Sequence, residues 1–384
     1  INQKEGKFDY ITPKAPKGEK PYRFNWQTPI LLSSHNQDIL YMGSEFLQRS
    51  MNQGETWERI SGDLTNGAKE GNVAFGTIST ISESKFQFGL LYAGSDDGKI
   101  HVSKDGGVSW QLISGNLPQN LWVSRVVASS HKKERVYVTL NGYRNDNFES
   151  YAFVSEDFGA TWTSISNGLT QAVNVIVEDS ANENILYVGT DNGLFISVDK
   201  GANWQDFSNG MPKVAIHDAV IQTKAKELIV GTHGRSIYKM DISKVQELTK
   251  DVLAKNLHLF KVNDRTKSER WGSQNYAWGK PSEPSQTIWF YSDVDGIVNV
   301  SITNEAGMLV HTQKVEAKKG LNSFAYDYLL SKEVAEKWNK KDKNIKIKEA
   351  ENKKFYLPVG KYKMTVSKDK VTETKSFEVT APKK

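Results

Sequence analysis

Between Pro29 and Met240 short apolar, β-branched runs alternate with polar turns on the two-residue period of strands rather than the 3.6-residue period of helices. Five of these runs, 29–34, 77–84, 123–130, 173–180 and 216–223, are each followed by a second compact one. The second runs are Leu40 to Gly43, Leu91 to Gly94, Val136 to Thr139, Leu186 to Gly189 and Leu228 to Gly231. After four of them comes an eight-residue box, Ser-x-Asp-x-Gly-x-Thr-Trp, read as Ser103 to Trp110, Ser155 to Trp162, Ser197 to Trp204 and, with Asn52 in place of Asp, Ser50 to Trp57. The tryptophans at 57, 110, 162 and 204 are spaced by 53, 52 and 42 residues, in or near the range of a propeller blade. Each unit predicts an inner strand, a second strand, a third ending at the box Ser and a fourth starting at the box Trp. Five such antiparallel sheets over 22–243 predict a β-propeller, closed or incomplete.

Beyond residue 243 the pattern changes. A helical connector is expected over 244–256, and seven short strands separated by turns such as Asp295-Gly296 predict an immunoglobulin-like or fibronectin-like sandwich over 257–382. Within it, 331–355 carries nine Lys and five acidic residues and is expected to be a solvated helix and loop. Trp271, Tyr276 and Trp278 are expected to pack strands and loops. Residues 1–21, with Lys, Gly and Pro, are expected to be a linker or N-terminal extension.

Composition narrows the chemistry. The 384 residues include no Cys, which excludes a disulfide framework, a thiolate nucleophile and a Cys-ligated metal. The net charge of +5 divides into −3 up to Lys250 (25 basic minus 28 acidic) and +8 beyond it (25 minus 17), so it is no general footprint for nucleic acid. Phosphate-loop, His-Glu-x-x-His and full calcium-loop motifs are absent, and neither metal nor cofactor is expected. No apolar run reaches the roughly 20 residues of a transmembrane helix. Because Ile1 follows neither an initiator Met nor a leader, an upstream segment is expected to have been removed or to be missing.

The box residues have a local explanation. Ser and Asp side chains bond nearby backbone in a turn, Gly takes the positive-φ position and Trp covers the hairpin. Asn52, Asp105, Asp157 and Asp199, with their tryptophans, are therefore expected to be structural.

This pattern resembles the Asp-box, or BNR, repeat of sialidases, xyloglucanases and sortilin-type propellers. A closer resemblance, covering most of the chain, is to large bacterial sortilin-like box-repeat proteins that also carry a "glycosyl hydrolase" label. It rests on Arg23 to Ile30, on Ser50 to Thr65, on Trp122-Val-Ser-Arg125, on Leu228 to Ile237 and, in the second domain, on Trp278 to Pro281, Ile302 to Gly307, Gly320 to Asp327 and Pro358 to Tyr362. The resemblance implies boxes on the outer rim, away from the ligand face, a C-terminal portion of a longer chain with further blades before it, and an accessory sandwich.

Propellers bind ligands over the central channel, where loops enter the inner strands and join second to third strands. Those loops hold Glu45, Asp96, Asp97, Arg144, Asp146, Asp191, His233 and Arg235, with Trp26, Trp122, Arg125 and His217 at or near inner strands. Asp96 or Asp97 with Asp191 is the weak candidate for a glycosidase pair, which needs two carboxyls about 5–10 Å apart. Both sites are turns that favour Asp in any case. The resembled xyloglucanases draw their carboxylates from two propellers. Arg125, Arg144 and Arg235 with Tyr143 fit a sialidase cluster by type, but the Arg-Ile-Pro signature is missing. The leading expectation is an exported, non-catalytic protein whose rim, Trp26, Trp122, Arg125, Arg144, His217, His233 and Arg235, recognises a protein, peptide or glycan. The rivals are a glycoside hydrolase related to xyloglucanases and a structural subunit whose open propeller is completed by a missing N-terminal half or another chain. The expected location is secreted, periplasmic or on the bacterial outer surface.

Overall fold

A computed structural model describes the chain except for residues 1–5, 7–9, 72–73, 209, 275, 277, 344 and 383–384. It divides into two compact units, Ile1–Gln246 and Glu247–Lys384.

The first unit is an arc of five antiparallel sheets arranged as propeller blades. Blade one runs in order through Ile30–Leu32, Leu40–Gly43, Leu47–Ser50 and Glu58–Arg59. Blade two is Ile78–Glu83, Leu91–Ser95, Ile100–Ser103 and Gln111–Leu112. Blade three is Trp122–Ala128, Val136–Gly142, Asn147–Ser155 and Thr163–Ser164. Blade four is Val173–Glu178, Leu186–Thr190, Gly193–Ser197 and Gln205–Asp206. Blade five has three strands, Ile216–Gln222, Glu227–Thr232 and Ile237–Asp241. Apolar cores lie between successive blades: Tyr41, Leu47, Ile78 and Leu91 join blades one and two, and Tyr137, Val173, Ile176 and Val188 join three and four. Among the described residues the first and last blades share no comparable packing. Ile30 and Leu32 at one end and Val220 and Ile237 at the other are exposed.

The boxes are latches between blades. In blade two Ser109 donates through N and Oγ to Asp105 (2.9 and 2.6 Å), and Gly107 N donates to Ser103 Oγ (2.8 Å). These hydrogen bonds hold the Asp105 carboxyl down at about 2, and those from Thr161 do the same for Asp157. At Asp199 burial opposes ionisation, but the bonds from Asn203 and Ser197 still keep the carboxyl below its usual range. Each box Trp then donates to an isoleucine carbonyl one blade back: Trp110 to Ile60, Trp162 to Ile113 and Trp204 to Ile165, at 2.6–2.8 Å. Trp57 donates to Ile11 in the same manner (2.6 Å), so this part of the expected N-terminal linker occupies the place of a preceding blade's outer strand.

The second unit is a two-sheet sandwich. Leu257–Leu259, Gln286–Ser292 and Gly320–Tyr326 form one sheet. The other has the order Arg265–Thr266, Val371–Thr380, Gly360–Lys368, Gly296–Asn304 and Leu309–Ala317, with the first pair parallel. Ile288, Phe290 and Phe324 of the first sheet meet Val300, Met364 and Phe377 of the second in one core. The connector is two single helical turns, Ser243–Gln246 and Lys250–Leu253. The Lys-rich insertion does form a helix, Lys332–Lys341, but it is not simply solvated, because Ala335, Trp338 and Ile347 are buried in the sandwich core. Trp271 is core and packs on Tyr328 and Tyr356, whereas Tyr276 and Trp278 are exposed and stack on one another at 5.2 Å.

Candidate functional site

The candidate carboxylates separate by environment. Asp96 is 5% exposed and saturated: Gly76 N, Thr77 N and Thr77 Oγ1 donate to it at 2.6–3.0 Å, and Asn25 Nδ2 reaches it from the segment before blade one at 3.2 Å. Burial raises its pKa while the Thr77 bonds oppose the rise. Asp97, 4% exposed, accepts from Ser95 Oγ and from Asn66 N, each at 2.6 Å. Both carboxylates staple turns, and Asp96 also ties the entry to blade one onto blade two. Glu45 is buried as well and accepts from Arg23 N at 2.7 Å. Asp191 alone of the three catalytic candidates is exposed.

Asp191 belongs to a continuous polar strip over blades three to five. Trp122 opens the inner strand of blade three, opposite Asn141 on the second strand. Asn141 Nδ2 donates to Asn174 Oδ1 of blade four (2.7 Å), and Asn174 Nδ2 donates to Asp191 Oδ1 (2.8 Å). Asp191 lies close enough to His217 to act on its charge, and the rings of His217 and His233 sit 5.2 Å apart on blade five. Burial lowers the pKa of His217 and the neighbouring His233 lowers it further, while Asp191 pulls the other way. At the blade-three end the Arg144 guanidinium lies 3.9 Å over the Trp122 ring and 5.0 Å from the centre of the Tyr143 ring. Its position follows from a short 3₁₀ turn, Tyr143–Asn145, closed by Asp146 in the left-handed region (φ 54°).

Arg125 bonds Asp218 from blade three to blade five at 2.6 Å, and its Nε is buried without a partner. Arg235 stands on the exposed His233-Gly234-Arg235 turn, and Trp26, 84% exposed, precedes the first strand of blade one. The geometry thus joins Trp122, Arg144, Asp191, His217 and His233, and no contact links Trp26 to them. Asn141, Asn174 and Asp218 escaped the sequence reading. Their signal was positional: Asn141 stands where blades two and four carry Asp96 and Asp191, and Asn174 where blade five carries His217.

Among the described residues no group of three or more His, Asp or Glu side chains is spaced to hold a metal ion, and no helix is long and apolar enough to cross a membrane. The sandwich has a separate cleft of ≈ 450 Å³ lined by Asp264, Glu305, Lys361, Lys363 and Glu378, in which charges of both signs alternate.

The Sortilin-Vps10 family model, described as "Sortilin, neurotensin receptor 3", matches residues 45–172, about a third of the chain. No curated protein matches the sequence. Among solved structures, an ancestral GH74 enzyme is similar at 16% identity and a TM-score of 0.45, over 81% of this chain and 40% of that one. PorZ, a surface component of the type-IX secretion system of Porphyromonas gingivalis, is similar at 15% identity and a TM-score of 0.42, over 91% and 51%. YCF48 bound to D1 peptide is similar at 12% identity and a TM-score of 0.39, over 59% and 66%. The chain spans between 40% and 66% of the length of these three. The chain resembles the sortilin-like, box-repeat propeller proteins.

Proposed function

We propose that this chain is a non-catalytic recognition module that binds a peptide or protein segment along the polar strip of blades three to five. The observation that carries this reading is the unequal use of the acids. Asp96 and Asp97 are buried and spent on turns, so the strip keeps Asp191 as its one exposed carboxylate among the three. A glycosidase needs two carboxyls facing one bond. In their place the strip offers the exposed imidazoles of His217 and His233, which can donate to and accept from a peptide backbone, while the buried Asn141 and Asn174 bond to one another and hold Asp191. Trp122 already uses a ring face to carry Arg144, which favours a peptide over a stacked sugar. In this reading the protein is exported and acts outside the cytoplasm. The sandwich serves as an accessory module, and its strand distribution, three strands against five with a parallel edge pair, supports an immunoglobulin-type topology.

The test is binding of the wild-type chain and a His217→Ala, His233→Ala double variant to peptide and glycan arrays, with a parallel polysaccharide hydrolysis screen. Peptide hits that weaken at least about tenfold in the variant, a loss of about 1.4 kcal/mol, are the expected result. Hydrolysis abolished by Asp191→Asn would overturn the non-catalytic reading, and glycan-only hits would overturn the peptide assignment.

A further inference from the structure

The positive charge of the second unit gathers at one place and is left without counter-charge. Lys340, Lys341, Lys343, Lys346 and Lys348 fall within nine residues that hold one carboxylate, Asp342. All five are exposed, and among the described residues none of them forms an ion pair. The fold holds them together. Trp338 and Ile347 are buried in the sandwich core, and the Asn339 side chain bonds both backbone groups of Ile347, Nδ2 donating to its carbonyl (2.9 Å) and Oδ1 accepting from its N (2.8 Å). This clamp folds the chain back on the helix end, so Lys340 and Lys341, which follow Asn339, stand near Lys346 and Lys348, which flank the inward Ile347. Like charges gathered in this way repel one another and favour the state in which an anion joins them. Two aromatic rings lie beside the patch. Asn352 N donates to Gly272 O (3.0 Å) and Gln274 N to Glu351 (3.1 Å), and Gln274 Nε2 in turn bonds Gly279 O. Between those bonded ends Tyr276 and Trp278 stack nearly parallel (10°), with Trp278 85% exposed. Only three residues separate Lys348 from Glu351, a span of at most about 11 Å.

We infer that this part of the second unit docks an acidic polysaccharide, a chain of uronate or sulfated sugars, whose anions meet the lysine ammoniums while one sugar ring lies on the face of Trp278. Charge complementarity selects a polyanion. The side-chain types select among polyanions. Residues 331–355 contain no arginine, whose planar fork suits phosphate, whereas single ammoniums on flexible stems suit carboxylates or sulfates spaced along a polymer. A lipid surface takes up apolar side chains set among the cations, but here Ile345 packs on the core and Ile347 is buried in it. An uncovered indole offers the flat apolar surface that the C–H face of a sugar ring fits. The inference is independent of the peptide reading, since it concerns the second unit alone and not the polar strip.

The test is binding of the full chain to immobilised polygalacturonate and heparin, with dextran, poly(dT) and phosphatidylglycerol vesicles in parallel. At least one of the two acidic polysaccharides should bind, and more weakly as salt is raised. Lys340→Gln, Lys341→Gln, Lys346→Gln and Lys348→Gln together should weaken that binding about tenfold or more, and Trp278→Ala about threefold or more. Lys314→Gln, Lys361→Gln, Lys363→Gln and Lys370→Gln together remove the same charge from exposed positions elsewhere in the unit and should change it less than about twofold. Binding to neither polysaccharide overturns the inference, as do equal losses in the two lysine variants or an unchanged affinity in Trp278→Ala. Binding to dextran, poly(dT) or vesicles as tight as to the polysaccharides also overturns it. Urea midpoints check that each variant folds, and Lys346→Gln with Lys348→Gln repeats the test should the fourfold variant fail to fold.

Discussion

Blades four and five share a strand formula and differ in what lies against them. Both pair their first three strands antiparallel with a register shift at the start of the inner strand, and both carry a glycine near the end of the second strand. Yet Leu194 is fully buried, while its counterpart Ile237 stands in the open. The ladder forms without a neighbour, but burial comes from the next blade, and for a leucine-sized side chain that is worth about 1.5–3 kcal/mol. The largest expected effect follows from this difference. Gly189→Ala places a methyl 2.6 Å from Ile216 Cγ2 and 2.7 Å from Val175 Cγ1, both on backbone-anchored β-branched groups that cannot swing away. We expect it to destabilise the first unit by about 2–3 kcal/mol. Gly231→Ala, in open space, should change stability by less than about 0.5 kcal/mol. Urea unfolding of the two variants measures the contrast. A large loss at Gly231 would mean that the space beside it is filled after all.

Much of the comparison was legible in the sequence, because the repeat reports itself. The box fixes a turn, the turn fixes where the third strand ends, and the Leu-Tyr-x-Gly run places the second-strand glycine. The edge of the arc was also announced, since no box follows Leu228 to Gly231. What could not be read was contact across blades. Asp96 and Asp191 occupy similar Gly-x-Asp turns, yet Asn25 from the entry to blade one buries the first, while Asn174 leaves the second at the rim. Turn chemistry is local and makes both residues Asp; which becomes accessible depends on a partner 71 or 17 residues away. In the sandwich the Lys count masked Trp338, because charge dominates composition while one buried face suffices to dock a helix.

Acid sharpens the comparison of interior and open end at the next level of effect. His101 lies in the third strand of blade two, where burial pushes its pKa down to about 4, repulsion from Lys99 adds to the fall and Asp97 opposes it. Its Nδ1 is buried without a partner. The unfolded chain binds this proton near pH 6.5 and the folded chain only near pH 4. The neutral ring's contribution is therefore complete above pH 6.5 and is lost as pH falls through about 4. With allowance for partial exposure the loss amounts to about 2 kcal/mol. His101→Gln should flatten the decline in urea midpoint between pH 6.5 and 4, whatever it costs at pH 7. His217→Gln on blade five, whose pKa is also lowered by partial burial but whose imidazole is more exposed, should flatten that limb less. An unchanged slope in the His101 variant would assign the acid sensitivity elsewhere.

The smallest effect separates interfaces that are all closed. At two of the blade junctions the second-strand tyrosine reaches the last inner-strand residue of the next blade. Tyr41 OH donates to Glu83 and Tyr137 OH to Glu178, each at 3.0 Å. Between blades two and three the partner is missing: the corresponding residue is Ala128, and the Tyr92 hydroxyl is buried without a hydrogen bond. Tyr137→Phe removes one donor from a buried carboxylate that retains Ser129 and Ser130, so the expected cost is about 1 kcal/mol, or about 2–4 °C in Tm. Tyr92→Phe removes only an unsatisfied hydroxyl and should be neutral or slightly stabilising. Calorimetry of the two variants decides the matter. Equal losses would show that the Tyr92 hydroxyl finds a partner in solution, and the blade two to three interface would then be as polar as its neighbours. Unequal losses would leave that interface held by apolar packing around Ile100, Val123 and Val138, the same kind of contact that blade five still lacks on its outer flank.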